Sequence, residues 1–240
     1  MVFSEFKKDF ITCFIEKDRY KFILNGLLNT IKLAIVALVL GIVIGTIIAL
    51  IRTAHDKNIE EMDKGIKKTL LKIGNSICKL YVTVIRGTPV MIQIMIMFFV
   101  IFSSARDGMP VAMLTFGINS GAYVAEIIRA GIMSIDVGQF EAGRSLGLNY
   151  YKTMRYIVIP QAIKNVLPAL ANEFIALLKE TSVACYVAVN DLTKGGEIIR
   201  SVTYIQALPL LAVALLYLLM VVILSKLVSL LERSLAQSER

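Results

Sequence analysis

Five apolar runs divide the chain, at about 24–51, 80–102, 110–133, 166–189 and 208–231. As a helix rising ~1.5 Å per residue, each is long enough to cross ~30 Å of hydrocarbon. The pattern predicts an all-α integral membrane protein with about five transmembrane helices, residues 1–240 forming one transmembrane domain. The runs differ in kind. The fifth is almost purely aliphatic, and the first and fifth are expected to face lipid, whereas the third and fourth carry polar and charged residues and are expected to face a polar interior. Between them lie a polar, helix-prone segment (52–79), a short break with Arg106 and Asp107 (103–109), a long polar loop (134–165) and a second polar loop (190–207). Residues 1–23 interleave Phe6, Phe10 and Phe14 with Lys7, Lys8 and Lys17, which fits an amphipathic helix lying on the membrane surface. They lack the short apolar core and small-residue site of a cleavable signal peptide, so the first span is expected to act as an uncleaved one.

Charge sets the expected orientation. The net charge of +8 would suggest nucleic acid in a soluble protein, but 57% hydrophobic residues and a mean hydropathy of +0.72 make the bilayer the solvent. Loop 52–79, loop 134–165 with Arg129, and the C-terminal end with Lys226 carry 15 Lys/Arg, against 8 on the opposite side. The positive-inside effect then places the C-terminus in the cytoplasm and the N-terminus on the opposite side of the membrane. Cys13, Cys78 and Cys185 are far apart and His55 is the single histidine, so no metal-ligand set is expected. No Ser–His or Cys–His arrangement suggests an enzyme. The sequence has no GxxxxGK[ST] stretch and no Gly-Lys dipeptide, so this chain is expected to bind no cofactor and to hold no ATP by a phosphate loop.

Loop 134–165 is the most informative stretch. Its pattern predicts a helix over Glu141–Leu146, a left-handed Gly147 that ends it, a restart at Asn149-Tyr-Tyr-Lys, and a second piece ended or redirected by Pro160. A short amphipathic helix of this kind is a docking surface for a soluble partner. Glu141-Ala142, Gly147, Ile157 and Ile159-Pro160 closely resemble the EAA signature of importer permeases of the ATP-binding-cassette superfamily. Arg86-Gly-Thr-Pro89, Gly121-Ala-Tyr-Val-Ala-Glu-Ile-Ile-Arg129, Gly138-Gln139 and Asn172-Glu173 through Thr181-Ser182 resemble its polar amino-acid branch, the histidine, arginine and glutamine type. The resemblance covers roughly residues 25–235.

The resemblance implies a cytoplasmic coupling helix, with Glu141, Ala142, Gly143, Arg144, Gly147, Ile159 and Pro160 facing the ATPase. It also implies partners: ATPase subunits that bind ATP and Mg, a second permease copy or homologue, and an extracytoplasmic amino-acid-binding protein. The chain departs from the pattern in three places. Gly143 stands where a second alanine is usual, at a helix-propensity cost of about 1 kcal/mol. Loop 52–79 looks long, with 55–68 as an insertion, and the 103–109 loop looks short.

The expected substrate path comprises Arg86, Thr88, Gln93, Asn172, Glu173, Lys179, Thr181 and Ser182. Glu173 has two readings, a ligand for a substrate ammonium or a partner of Lys179, Arg86 or Arg129, because an intramembrane carboxylate needs a partner. Lys179 and Glu180 read as a structural or gating pair, Glu126 and Arg129 as an ion pair three residues apart, and Met91, Met95 and Met97 as packing. Gly41-x3-Gly45 and Gly117-x3-Gly121 permit close helix contact without naming the partner. Two rival functions stay open: the same machinery carrying an opine, osmolyte or dipeptide-like solute, and an ion-coupled carrier. The second would be marked by inverted repeats, of which the sequence shows none.

Overall fold

The computed structural model describes residues 2–59, 63 and 65–237, and among these it contains helices and no strands. Ten α-helices are described: α1 (Val2–Phe10), α2 (Tyr20–Asn58), α3 (Ile66–Gly87), α4 (Val90–Ile96), α5 (Gly108–Met133), α6 (Val137–Ser145), α7 (Tyr150–Thr153), α8 (Ile159–Glu180), α9 (Leu192–Thr203) and α10 (Ala207–Gln237). π-helical turns extend α1, α4 and α7, and 3-10 turns occupy Glu16–Asp18 and Thr181–Val187.

Helices α2, α5 and α10 are long and apolar enough to cross a membrane, and α3 with α4 together have the length and composition of a broken span or a re-entrant loop. Two expected spans therefore need correcting in detail. Run 80–102 is interrupted where Thr88 and Pro89 adopt extended backbone, as expected for a residue preceding proline. Run 166–189 is α8 as far as Glu180 and a 3-10 segment beyond it. The polar segment 52–79 is mostly helical, shared between α2 and α3; of the expected insertion, residues 60–62 and 64 lie outside the described residues. At 39 residues α2 is ~60 Å long, about twice the hydrocarbon thickness, so it extends well past its apolar run.

The chain divides into two compact units. One comprises Met1–Ala37, Pro89–Phe116 and Phe174–Leu227. Its core gathers Cys13, Ile23, Leu192, Ile199 and Val213, with Phe14, Leu27 and Tyr217 packed around them. The start of α2 lies against the start of α9 through glycines. A Cβ on Gly26 would come within 2.5 Å of the Asp191 carbonyl oxygen, and one on Gly195 within 2.5 Å of the Phe22 carbonyl oxygen. Helix α4 packs on the 3-10 segment Thr181–Val187 in the same unit.

The other unit comprises Leu38–Thr88, Gly117–Glu173 and Val228–Arg240. Here both glycine pairs find one interface. A Cβ on Gly45 would meet Val124 Cγ1 at 2.6 Å, and one on Gly117 would meet Leu40 Cβ at 2.7 Å, so α2 and α5 use their small residues against each other. Ile48, Cys78, Val82, Ala122 and Ala125 fill the adjoining core. The Tyr81 hydroxyl donates to the Ile118 carbonyl oxygen, tying α3 to α5. A second core of Ile132, Ile135, Val158 and Ala162 supports the loop between α5 and α8.

Candidate functional site

The 134–165 loop folds as a helix, a turn and a second helix. Asp136 caps α6, its carboxylate accepting from the Gly138 amide at 2.6 Å. Gly147 takes φ +73°, the left-handed conformation expected of it, while the Leu148 amide returns to the Gly143 carbonyl oxygen at 3.0 Å and closes the helix end. Asn149 then caps α7, accepting from the Lys152 amide at 2.9 Å. Pro160 does not end the second piece. It is the second residue of α8, and the π turn Met154–Val158 precedes it, so the chain remains helical from Tyr150 to Glu180. The wider π turn absorbs the bond that proline cannot donate.

Of the residues expected to face an ATPase, Glu141, Ala142, Arg144, Gly147, Ile159 and Pro160 are exposed. Val137, Leu146, Tyr151 and Tyr156 join them, each at least 65% exposed. Gly143 is buried instead, and a Cβ there would stand 2.6 Å from Thr153 Oγ1. Glycine at this position is thus explained by the close approach of α7, a reason that helix propensity does not supply.

Behind the loop, α2 and α5 share a charge network that sequence reading caught only in part. The expected pair is present, Arg129 Nη2 donating to Glu126 Oε2 at 3.1 Å. Glu126 Oε1 also accepts from Arg52, and Arg129 Nη1 reaches Asp56 Oδ2 at 3.4 Å. The Lys57 ammonium lies 3.6 Å from the centre of the Phe140 ring on α6. Arg52 and Lys57 had registered only as loop charge and Asp56 not at all; their spacing from one another along α2 is the signal that they belong to its helical extension.

The expected path residues fall into both units. In the unit containing α3, Ser120 donates to Glu173 Oε1 at 3.0 Å, and the Arg86 guanidinium stacks 5.0 Å from the Tyr123 ring centre. Thr88 and Asn172 donate back to the carbonyl oxygens of Val84 (2.9 Å) and Pro168 (3.1 Å), and both are exposed. Arg129 is engaged by Glu126 and Asp56, which accounts for one candidate partner of Glu173. In the other unit, Gln93 and Ser182 are half-buried and Thr181 is buried, donating to the Leu178 carbonyl oxygen at 2.7 Å. Lys179 and Glu180 are exposed, and among the described residues no ion pair within 4 Å joins them. As consecutive helical residues they leave the axis about 100° apart.

The first unit also contains a buried carboxylate absent from the sequence reading. Asp191 is fully buried at the cap of α9, with Oδ1 accepting from the Lys194 amide at 2.9 Å. Oδ2 has no hydrogen-bond partner among the described residues. Burial pushes its pKa up to about 6, against the pull of the Lys194 and Thr193 amides and the nearby Thr193 hydroxyl, which itself sits 3.4 Å from the Tyr217 hydroxyl. An adjacent groove of about 410 Å³ is lined by Asn25, Asn29, Asn190 and Asp191.

Comparison with known proteins agrees with this anatomy. Residues 70–237 match the family described as binding-protein-dependent transport system inner membrane component. The arginine transport system permease protein ArtQ of Bacillus subtilis is 34% identical over 221 residues, covering 91% of this chain and 94% of that one. The glutamine transport system permease protein GlnP of Escherichia coli is 34% identical over 216 residues, with 88% and 91% covered. A crystal structure of an amino acid ABC transporter with histidines superposes with a TM-score of 0.79 at 40% identity, over 90% of this chain and 94% of that one. The MetNI methionine ABC transporter, at 18% identity and TM-score 0.74, shares the fold. The chain belongs to the family of binding-protein-dependent transport system inner membrane components, as a multi-pass permease subunit of an ATP-binding-cassette importer whose ATPase is a separate chain.

Proposed function

We propose that this permease carries polar amino acids inward, receiving them from an extracytoplasmic binding protein and drawing energy from ATPase subunits that hold ATP and Mg. The observation that carries the reading is the exposed helix–turn–helix 137–158, whose surface combines Glu141 and Arg144 with bare Val137, Leu146, Tyr151 and Tyr156. A loop with that much uncovered apolar area suits a protein partner. The names of the relatives, for arginine and glutamine, favour a polar amino acid as cargo. A second permease copy or homologue completes the translocation path. The charge asymmetry of the loops supports a cytoplasmic 134–165 loop. A cysteine at exposed Ser145 should then react with reagents applied from the cytoplasm, and one at exposed Ser201 with reagents applied outside; the reverse pattern refutes the orientation.

Glu173 is the proposed ligand for the cargo's ammonium. It lies on α8 with the Ser120 hydroxyl on Oε1, so one face of the carboxylate is positioned by the protein. Glu173→Gln keeps size and an acceptor while removing charge. Loss of a charge-assisted bond should raise the half-saturation concentration for arginine or glutamine uptake roughly 10- to 100-fold, with ATPase assembly intact. An assembled mutant with unchanged affinity would reduce Glu173 to a structural partner of Ser120.

A further inference from the structure

The far end of α2 lies beyond its apolar run yet is held in place. Lys57 is six residues past Ile51, or ~9 Å further along the helix. Its ammonium faces the Phe140 ring at 3.6 Å, and among the described residues no carboxylate pairs with it within 4 Å; neighbouring Asp56 engages Arg129 and His55. Phe140 belongs to α6 and also packs on the core of Ile132, Ile135, Val158 and Ala162. Elsewhere α6 rests on α7 and α8, Gly143 being buried against Thr153 and Gln139 Oε1 accepting from Gln161 Nε2 at 3.2 Å. A groove of about 280 Å³ lined by Lys57, Val137, Phe140, Arg144 and Tyr150 runs beside the Lys57–Phe140 contact. One turn back from Lys57, α2 is locked to α5: Glu126 accepts from Arg52 and Arg129 together, and Arg129 returns to Asp56. The Arg52 and Arg129 side chains keep only 12% and 27% exposure, so this network is partly desolvated and stiff.

We propose that Lys57 is a positioning residue for the coupling helix: through Phe140 it fixes α6 on the end of α2, and the Arg52–Glu126–Arg129–Asp56 network fixes that end of α2. A displacement of α6 by its ATPase is thereby passed to the first transmembrane helix as well as along α8. This rests on the reading of α6 as the ATPase-coupling helix. The contact suits the task because a cation over a ring tolerates sliding, whereas the ion network beneath it does not.

The test is the ratio of amino acid transported to ATP hydrolysed by the full complex in vesicles, with radiolabelled arginine and glutamine as probes. Lys57→Met keeps the stem and removes the charge; Phe140→Leu removes the ring; Lys57→Arg keeps a cation that stacks. We expect the ratio to fall roughly 3- to 10-fold in Lys57→Met and in Phe140→Leu, no further in the double variant, and to recover in Lys57→Arg. Failure of the ATPase to assemble with Lys57→Met, cured by Lys57→Arg, supports the same role. An unchanged ratio, additive losses, or a defect that Lys57→Arg does not cure overturns it. Gly147→Val, which forces a β-branched residue to positive φ, separates the two levels. If it abolishes coupling while Lys57→Met is normal, only the positioning role falls; if it transports normally, the reading of α6 itself falls.

Discussion

Two carboxylates, one in each unit, show two ways of keeping a charge out of water. Glu126 sits among Arg52, Arg129 and, through Arg129, Asp56, with both of its oxygens engaged. Asp191 is more deeply buried and forms no ion pair among the described residues; one oxygen caps α9 and the other has no hydrogen-bond partner among them. The first arrangement keeps the charge and makes it part of a structural joint. In the second, burial works against the charged form and raises the pKa to about 6.

Removing each carboxylate should separate the cases. Glu126→Ala takes the carboxylate from Arg52 and leaves Arg129 with Asp56; the Nε atoms of both guanidinium groups already lack partners among the described residues. A loss of roughly 2–3 kcal/mol is expected, less than for full burial because the Glu126 side chain retains 23% exposure. Asp191→Asn keeps the capping acceptor and removes the buried charge, so stability at pH 7 should stay within about 1 kcal/mol of the parent or rise. Thermal aggregation midpoints in detergent would rank the two; equal losses would remove the distinction.

A smaller effect tests the loop that the network supports. Gly143→Ala gains about 1 kcal/mol of helix propensity in α6, yet its methyl would stand 2.6 Å from Thr153 Oγ1. Overpacking of that kind costs about 1–3 kcal/mol, so a net loss of ATPase docking affinity of a few-fold is expected. Tighter docking would show that α7 yields without cost.

A further effect is in pH. With a folded pKa near 6 against an ordinary value of 3.8, the folded state binds more protons than the unfolded chain between those values. Asp191 therefore contributes its full stability below about pH 4 and loses it as pH rises through 6. Stability measured from pH 4 to 7 should fall more steeply with rising pH in the parent than in Asp191→Asn; parallel profiles would place the charge in water.

The sequence was most legible where local chemistry decides the structure. Gly147 at positive φ, the helix restart at Asn149 and the Glu126–Arg129 pair follow from a residue and its near neighbours. The contrast between helices was also visible: polar α5 is 61% buried over its apolar window and aliphatic α10 only 11%. What escaped depends on contacts far apart in the chain. Gly143 looked like a weakened signature until Thr153 was placed against it. Arg52 and Lys57 looked like loop charge until α2 proved long enough to reach Glu126 and Phe140. Asp191 gave no signal, since an aspartate before a helix reads as an ordinary cap. Pro160 was misjudged because a π turn, which periodicity does not reveal, lets the helix pass through it.

The most direct measurement is uptake of radiolabelled arginine and glutamine into vesicles containing this chain, with its ATPase and binding protein supplied or withheld. Uptake should require ATP, the ATPase and the binding protein together, and should survive an uncoupler that collapses ion gradients. Uptake that proceeds without the ATPase and disappears with the uncoupler would contradict an ATP-driven importer and point to an ion-coupled carrier.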